Sequence, residues 1–290
     1  MKKRVVTPCT LFVICGDEMT HRRDVIKAVL GGMGVLAVPR VFAAPGDAPL
    51  AAAASLTLPE AINKAGRQRM LSQRCAKAWL MQGLAVTPGV ATTLLQSSMT
   101  LFETQMTELS RFVPTADVQG ALVQLSADWQ SYRAALLVPP SPESAAQIYT
   151  RNEAVLSAAH AATQAYERAS GTTEGRLINV AGRQRMLSQR MAKFVYFARY
   201  GVESQASIEA LGKAREEFIK ALDLLKAAPQ NTAQITNELS LVDQQWFFFQ
   251  NALGQGSSPK ALLAIATTSE RILEQLNLVV GLYESLARPA

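Results

Sequence analysis

Two segments of the chain carry arginines at identical spacing. Residues 62–77 read INKAGRQRMLSQRCAK and residues 178–193 read INVAGRQRMLSQRMAK, with the same residue at 14 of the 16 positions. Neither segment contains an acidic residue that could neutralise its arginines. A guanidinium group donates hydrogen bonds in one plane, which suits planar oxyanions and carboxylates. The chemistry that these segments could support is therefore anion binding.

Placing each segment on an α-helix separates its arginines into two groups. At about 100° per residue, one stripe of each helix holds small residues, one arginine and one glutamine. A helical glycine costs up to about 1 kcal/mol relative to alanine, so we expect the glycine on each stripe to admit another helix or a ligand. The remaining basic residues lie off the stripe and are expected to reach solvent or surface carboxylates. The stripes contain Gly66, Arg69 and Gln73 in the first segment, and Gly182, Arg185 and Gln189 in the second.

We expect the two stripes to pack together and to bring both central arginines to one seam. Two buried cations repel each other, and one shared anion would relieve that repulsion. The alternative is a structural role, in which the arginines form a solvated face or Arg69 pairs with an acid of another helix, such as Glu103 or Asp128. The near identity of the two segments, inside repeats that otherwise match sparsely, favours the anion site. The predicted ligand residues are Arg69, Arg185, Gly66 and Gly182, supported by Gln73, Gln189, Ser72 and Ser188.

The positive charge of the chain is concentrated in these segments. Of 29 Lys/Arg and 23 Asp/Glu residues, seven and three lie in residues 1–43, so 22 basic and 20 acidic residues follow them. Nine of those 22 lie in the two segments, which leaves 13 basic against 20 acidic residues elsewhere. A nucleic-acid surface would spread its basic residues further and interleave aromatic ones. The distribution favours a local anion site and argues against a nucleic-acid partner.

Residues 1–43 have the composition of an export signal. Paired arginines, Arg22-Arg23, precede a short apolar run and a small-residue pattern that ends before Ala44. The run is too short to span a bilayer, and the paired arginines resemble a twin-arginine signal with Met19 as an alternative start. A Sec signal or an uncleaved anchor is the alternative. We predict a periplasmic protein, with residues 44–57 as a linker.

Beyond the linker, apolar stretches of about 20–30 residues with helical periodicity alternate with turn-rich breaks, and no period-2 alternation occurs. Trp129 and Trp246 recur at an offset of 117, one more than the offset of 116 between the segments. We therefore predict an all-α fold of two tandem antiparallel four-helix bundles, over residues 58–170 and 174–288. The two tryptophans and Phe247–Phe249 are predicted to lie in the cores. The breaks lie at residues 87–89, 113–115, 138–142, 170–173, 227–230 and 254–259.

The residue content gives little support for catalysis or metal binding. Beyond residue 43, His160 is the only histidine and Cys75 the only cysteine, and no pair of acids lies beside either segment. A histidine-rich metal site and an acid–base pair for catalysis therefore lack their usual residues. We predict no enzymatic activity, no metal and no cofactor.

The repeated segment resembles the start of the PilJ/NarX-type sensor domain. That resemblance implies the extracytoplasmic part of nitrate-responsive histidine kinases and of some pilus-linked chemotaxis transducers. It also implies that one nitrate is held, at the boundary between two copies, by the glycine and central arginine of the motif. By motif position these are Gly66 with Arg69 and Gly182 with Arg185. Nitrate kinases read closer to AGSLRMQS, so the arginine–glutamine pair after each glycine follows the pilus-transducer variant.

The predicted function is a periplasmic, non-catalytic sensor of nitrate or nitrite. We expect no transmembrane segment after the leader, and a membrane-bound or periplasmic partner that receives the signal. Because one chain holds both segments, we predict one anion per chain, between Arg69 and Arg185. The alternative is a structural or adaptor protein of a pilus, chemotaxis or transport system, without a small-molecule ligand. An anion affinity that depends on Arg69 would separate the two.

Overall fold

The computed structural model describes residues 56–288, which form eight α-helices and no strand within that range. This confirms the predicted all-α fold of paired helical bundles. No helix in this part of the chain is long and apolar enough to cross a membrane. The predicted export signal and nearly all of the predicted linker lie outside the described residues. The helices are α1 (Leu58–Gly83), α2 (Pro88–Ser110), α3 (Ala116–Leu136), α4 (Pro142–Ser170), α5 (Thr173–Tyr200), α6 (Ser204–Lys226), α7 (Ala233–Gly254) and α8 (Pro259–Leu286).

The helix boundaries follow local sequence signals. Thr57 caps α1: its hydroxyl accepts the N–H of Glu60 at 3.4 Å, and the Glu60 carboxylate accepts the N–H of Thr57 at 2.9 Å. Ser141 and Ser258, each followed by proline, cap α4 and α8. All six predicted breaks overlap links between helices. The link Gly201–Glu203, between α5 and α6, was not predicted because a single glycine marks it, without proline.

The helices that carry the repeated segments, α1 and α5, run parallel and side by side. Ile62 near the start of α1 faces Gly175 near the start of α5, and Gly83 at the end of α1 lies against Tyr200 at the end of α5. α1 also packs on α2 and α4, and α5 packs on α6 and α8. α3 and α7 pack mainly on α4 and α8. The repeated segments therefore form the main contact between the two four-helix units, α1–α4 and α5–α8.

The aromatic residues predicted to be core lie on two different faces of their helices. Trp129 and Trp246 are buried, and each stacks on a phenylalanine of the preceding helix. Phe249 is also buried, whereas Phe247 and Phe248 are 60% and 56% exposed. The prediction was therefore wrong for these two. Residues 246 and 249 share one face of α7 because they are three positions apart, and the two residues between them turn outward.

Candidate anion-binding site

Arg69 of α1 and Arg185 of α5 meet at the seam between the two units. Neither side chain has any solvent exposure. Their Nη2 atoms would lie 3.5 Å and 3.4 Å from a Cβ atom placed on Gly182, so they are no further apart than the sum of these distances. A Cβ atom placed on Gly66 would lie 3.2 Å from Arg69 Nη2 and 3.9 Å from Arg185 Nη2. The structure thus brings the four predicted ligand residues to one place.

Glycine at these two positions gives the guanidinium groups their space. Neither Gly66 nor Gly182 has a positive φ, so the backbone conformation does not require glycine. Glycine inside a helix costs about 1 kcal/mol relative to alanine. A Cβ atom at Gly66 would crowd Arg69 at 3.2 Å, whereas a Cβ atom at Gly182 would make ordinary contact with both guanidinium groups. The sequence predicted that another helix or a ligand would closely approach each glycine. In the structure the guanidinium groups of Arg69 and Arg185 make this approach.

The guanidinium groups donate to neutral acceptors across the seam. Arg69 Nη2 donates to the backbone carbonyl of Asn179 on α5 at 3.2 Å. Arg185 Nη2 donates to Asn63 on α1, to its backbone carbonyl at 3.3 Å and to its Oδ1 at 2.8 Å. Arg185 Nη1 donates to Oδ1 of Asn277 at 3.1 Å. The Nε–H of each arginine is buried without a hydrogen-bond partner.

Neither arginine forms an ion pair with a carboxylate within residues 56–288. The acids considered as structural partners of Arg69 bond elsewhere. Glu103 accepts from Arg133 at 2.6 Å, and Asp128 accepts from Gln124 at 3.1 Å. A buried charge costs several kcal/mol when no opposite charge compensates it. The seam therefore holds two such charges with only neutral acceptors.

Burial and nearby cations destabilise the charged form of both guanidinium groups. Burial, followed by the charge of Arg183, lowers the pKa of Arg69 to about 9. Burial also lowers the pKa of Arg185 well below its usual range, and the neighbouring Arg67 and Arg69 lower it further. An anion placed at the seam would raise the pKa of both guanidinium groups, because it stabilises their charged form. The electrostatics of the seam thus favour an anion.

Arg183 lies closer to the seam than the helical projection predicts. It reaches a carboxylate, Glu217, as expected for a residue off the central stripe. However, its Nη1 also lies 3.5 Å from Nδ1 of His160 on α4, and that same Nδ1 is 3.3 Å from Arg69 Nη1. Because both neighbours are donors, Nδ1 is an acceptor and the imidazole is neutral. Burial, then Arg69 and Arg183, lower the pKa of His160 to about 4.

The four residues predicted to support the ligand are buried near the seam and bond to backbone or to each other. Ser72 and Ser188 each donate, at 2.8 Å, to the backbone carbonyl of the arginine three residues earlier. Gln73 donates to the Ser72 hydroxyl at 3.1 Å, and Gln189 to the carbonyl of Ser269 at 2.8 Å. Both glutamine Oε1 atoms are buried without a partner. A direct role for these residues in ligand binding stays a prediction.

Other basic residues of the first segment cross to the second unit. Arg74 and Lys77 both bond to Glu270 on α8, and Lys77 also donates to the hydroxyl of Ser269 at 3.1 Å. Lys77 has no solvent exposure. From the sequence we expected Lys77 to reach solvent or a surface carboxylate. It does reach a carboxylate, but the prediction was wrong about its exposure. It is part of a buried ion-pair cluster between the units.

The second segment forms the equivalent cluster with the first unit. Arg190 donates to both oxygens of Glu153 on α4, at 2.9 Å and 2.8 Å. Lys193, also fully buried, donates to Glu153 at 2.7 Å. The role of Glu153 and Glu270 was not predicted from the sequence. Their recurrence at the offset of 117 was the available signal, because an acid that recurs with the basic segment is a candidate partner for it.

Two residues that could take part in chemistry, Cys75 and His160, have pKa values shifted away from their ordinary values. Burial raises the pKa of the Cys75 thiol, and the thiolate is the reactive form of cysteine. His160 has its pKa lowered to about 4 and its Nδ1 faces two arginines, so it is a poor general base at neutral pH.

Comparison with known proteins identifies one family. The family model PilJ, described as the N-terminal domain of type IV pili methyl-accepting chemotaxis transducers, matches residues 51–167 and again residues 168–268. Each match contains one copy of the repeated segment. No curated protein and no solved structure matches the chain.

Proposed function

Because the chain belongs to the PilJ family of chemoreceptor sensory domains, we propose that it binds a small planar oxyanion at the seam and signals its presence to a partner. One observation carries the proposal. Two fully buried guanidinium groups, those of Arg69 and Arg185, meet at one place without a carboxylate partner among the described residues. A monovalent anion between them would neutralise half of that charge.

The energy available for binding follows from the geometry. Two unit charges repel by about 2 kcal/mol at about 7 Å and an effective dielectric constant of about 20, and by more at any shorter distance. An anion between them adds two attractions over shorter distances, and together these outweigh the repulsion. Each Nη2 atom now donates to a backbone carbonyl, and a hydrogen bond to a charged acceptor contributes about 1.5–3 kcal/mol. The unbonded Nε–H groups offer two further donors.

We take nitrate or nitrite as the ligand among planar oxyanions. The repeated segment resembles the motif of nitrate-sensing domains, and the positions that the resemblance assigns to the ligand are those that meet at the seam. A small anion also suits a site without solvent exposure. The alternative, an adaptor protein without a ligand, treats the same residues as a packing device.

The seam also offers a route for a signal. α1 and α5 contact each other at the site, and the clusters around Glu153 and Glu270 tie each helix to the opposite unit. Anion binding at the arginines would change the packing of the two helices and hence the relative position of the units. The size of that change is limited by the difference in ligand affinity between the two arrangements. We expect a membrane-bound or periplasmic partner to detect it.

Titration calorimetry of the purified protein with nitrate and nitrite tests the proposal. We expect one site per chain, and Arg69→Gln or Arg185→Gln should weaken binding about tenfold to a hundredfold. Arg176→Gln is the matched control, because Arg176 is an exposed arginine on α5. Two independent sites per chain, or equal losses in the control, would contradict the shared site. Absence of binding by either anion would favour the adaptor alternative.

A further inference from the structure

A cleft between α4, α5 and α6 leads from the surface to Arg69. Its volume is about 290 Å³, an order of magnitude more than the roughly 30 Å³ that one water molecule occupies in the liquid. Ser157 and Lys213 are exposed at its mouth, and Arg69 lies at its inner end. A four-atom oxyanion would leave most of this volume filled with water. The cleft therefore has room for a larger molecule than the seam.

The charge of the cleft selects an anion. Arg190 is bonded to Glu153 and Arg183 to Glu217, but neither Arg69 nor Lys213 has a carboxylate partner among the described residues. With His160 neutral, the lining carries a formal charge of two positive units. The charged residues that line it are Arg69, Arg183, Arg190, Lys213, Glu153 and Glu217.

The uncharged part of the lining selects a ligand with an apolar body. Leu156, Met186 and Leu187 line the cleft together with Ala210 and Ala214. Met186 and Leu187 are nearly fully buried, so this wall lies deep in the cleft. Small-molecule sites typically combine such walls with a few charged groups that fix the orientation. An inorganic anion would leave the apolar wall unused.

The residues that line the cleft differ from those at the equivalent positions of the other unit. The residue equivalent to Lys213 in the first unit is Ser97, and the residue equivalent to Ser157 in the second unit is Glu274. The equivalent of Ala210 is Leu94, which is larger. The corresponding positions on the other side thus carry less positive charge and leave less space. This asymmetry distinguishes the cleft from the seam, to which both units contribute alike.

We propose that this cleft binds a small organic carboxylate with an apolar body. The carboxylate lies at the inner end, between Arg69 and Arg183, where it replaces the neutral acceptor His160 Nδ1. The apolar body lies on Leu156, Met186 and Leu187, and Lys213 adds a positive charge at the mouth. Such a ligand would give the protein a second input, beyond the inorganic anion proposed for the seam.

Titration calorimetry with benzoate, acetate and nitrate tests this inference. Benzoate should bind at least about tenfold more tightly than acetate, because acetate lacks the apolar body that the wall would remove from water. Arg183→Gln should weaken benzoate binding about tenfold or more, since it removes a cation and leaves Glu217 facing the ligand. Lys213→Gln should weaken it by about two- to fivefold, as expected for an exposed charge. Lys220→Gln, an exposed lysine of α6 outside the cleft, should have no effect.

One further variant separates the cleft from the seam. Ala210→Leu fills part of the cleft with the residue found at the equivalent position 94, so it should weaken benzoate binding and leave nitrate binding unchanged. Nitrate binding without benzoate binding would overturn the cleft and preserve the seam. Benzoate binding without nitrate binding would overturn the seam site and preserve the cleft site. Benzoate binding that neither Arg183→Gln nor Ala210→Leu weakens would also overturn the inference.

Discussion

Replacing Glu270 by glutamine should destabilise the protein by about 3–5 kcal/mol, the usual cost of removing one partner of a buried ion pair. Lys77 is fully buried and the Arg74 side chain is only 19% exposed, and both bond to this carboxylate. Glutamine keeps the approximate shape of the side chain and removes its charge. The variant therefore leaves two cations close together, on a helix that faces the opposite unit.

The magnitude is bounded by the chemistry of Lys77. Burial already lowers the pKa of its ammonium group, and Glu270 acts against that shift. Without the carboxylate, Lys77 can lose its proton on folding. This costs about 1.4 kcal/mol for each pH unit by which the pH of the solution lies below the ordinary pKa of lysine. This release limits the penalty at high pH. We therefore expect the destabilisation to be larger at pH 6 than at pH 9.

Urea denaturation followed by circular dichroism measures the effect. Glu103→Gln is the matched control, because Glu103 pairs with Arg133 and both side chains are more than 40% exposed. Its loss should stay below about 1 kcal/mol. A double variant, Lys77→Met with Glu270→Leu, should recover part of the stability, because it removes the fully buried cation together with its partner and leaves only Arg74, which is 19% exposed, without a carboxylate. If Glu270→Gln cost no more than the control, the cluster would not hold the units together and the reasoning would be refuted.

Three other outcomes follow from the same contacts. The free energy of unfolding should fall as the pH is lowered from about 4.5 to about 2. Burial raises the pKa of the Glu270 carboxyl, but the charges of Lys77 and Arg74 outweigh burial and lower this pKa from the ordinary 4.5 to about 2. In this pH range the unfolded chain therefore binds a proton that the folded chain does not, which favours unfolding. Denaturation of Glu270→Gln over the same range should lack this component. Gly182→Ala places a methyl group at ordinary contact distance, 3.4 Å and 3.5 Å, from the two Nη2 atoms, so it should not lower the thermal stability. The methyl group would occupy space beside both groups that the proposed anion needs, so calorimetry should show nitrate affinity reduced at least about tenfold. Gly120→Ala, with nothing within 4 Å, should leave the affinity unchanged. His160→Leu removes the acceptor of Arg69 Nη1 and should lower the free energy of unfolding by about 1–3 kcal/mol, while His160→Asn, which copies the second unit, should lose less than half of that.

The helical period was enough to predict, from the sequence, which residues lie together at the centre of the candidate site. Residues three and four positions apart share a face of a helix, so Gly66 and Arg69 had to lie together, as did Gly182 and Arg185. The recurrence of the segment then indicated that the two faces meet. The partners on other helices could not be predicted in this way. Their positions depend on the rotation and height of α4 and α8 relative to α1 and α5.

Lys77 shows why projection of a single helix is limited. The projection assumes one buried stripe and an opposite face in solvent. α1, however, packs on α2, α4 and α5 and also contacts α8, so residues well away from the central stripe are buried. Phe247 shows the opposite case: α7 packs mainly on α8, and a large apolar side chain on its other faces stays exposed. The number of helices that surround α1 and α7, rather than the apolar pattern of each helix, thus decided the burial of Lys77 and the exposure of Phe247.

The joining of α1 and α5 through one polypeptide has a consequence for dose response. When two separate chains must associate to complete a site, the fraction of complete sites depends on how much protein is present. In the site proposed here the second half is tethered to the first, so their association is intramolecular and its effective concentration is set by the connecting chain. The response should therefore report the amount of ligand in the same way in a cell that makes few copies of the protein and in one that makes many.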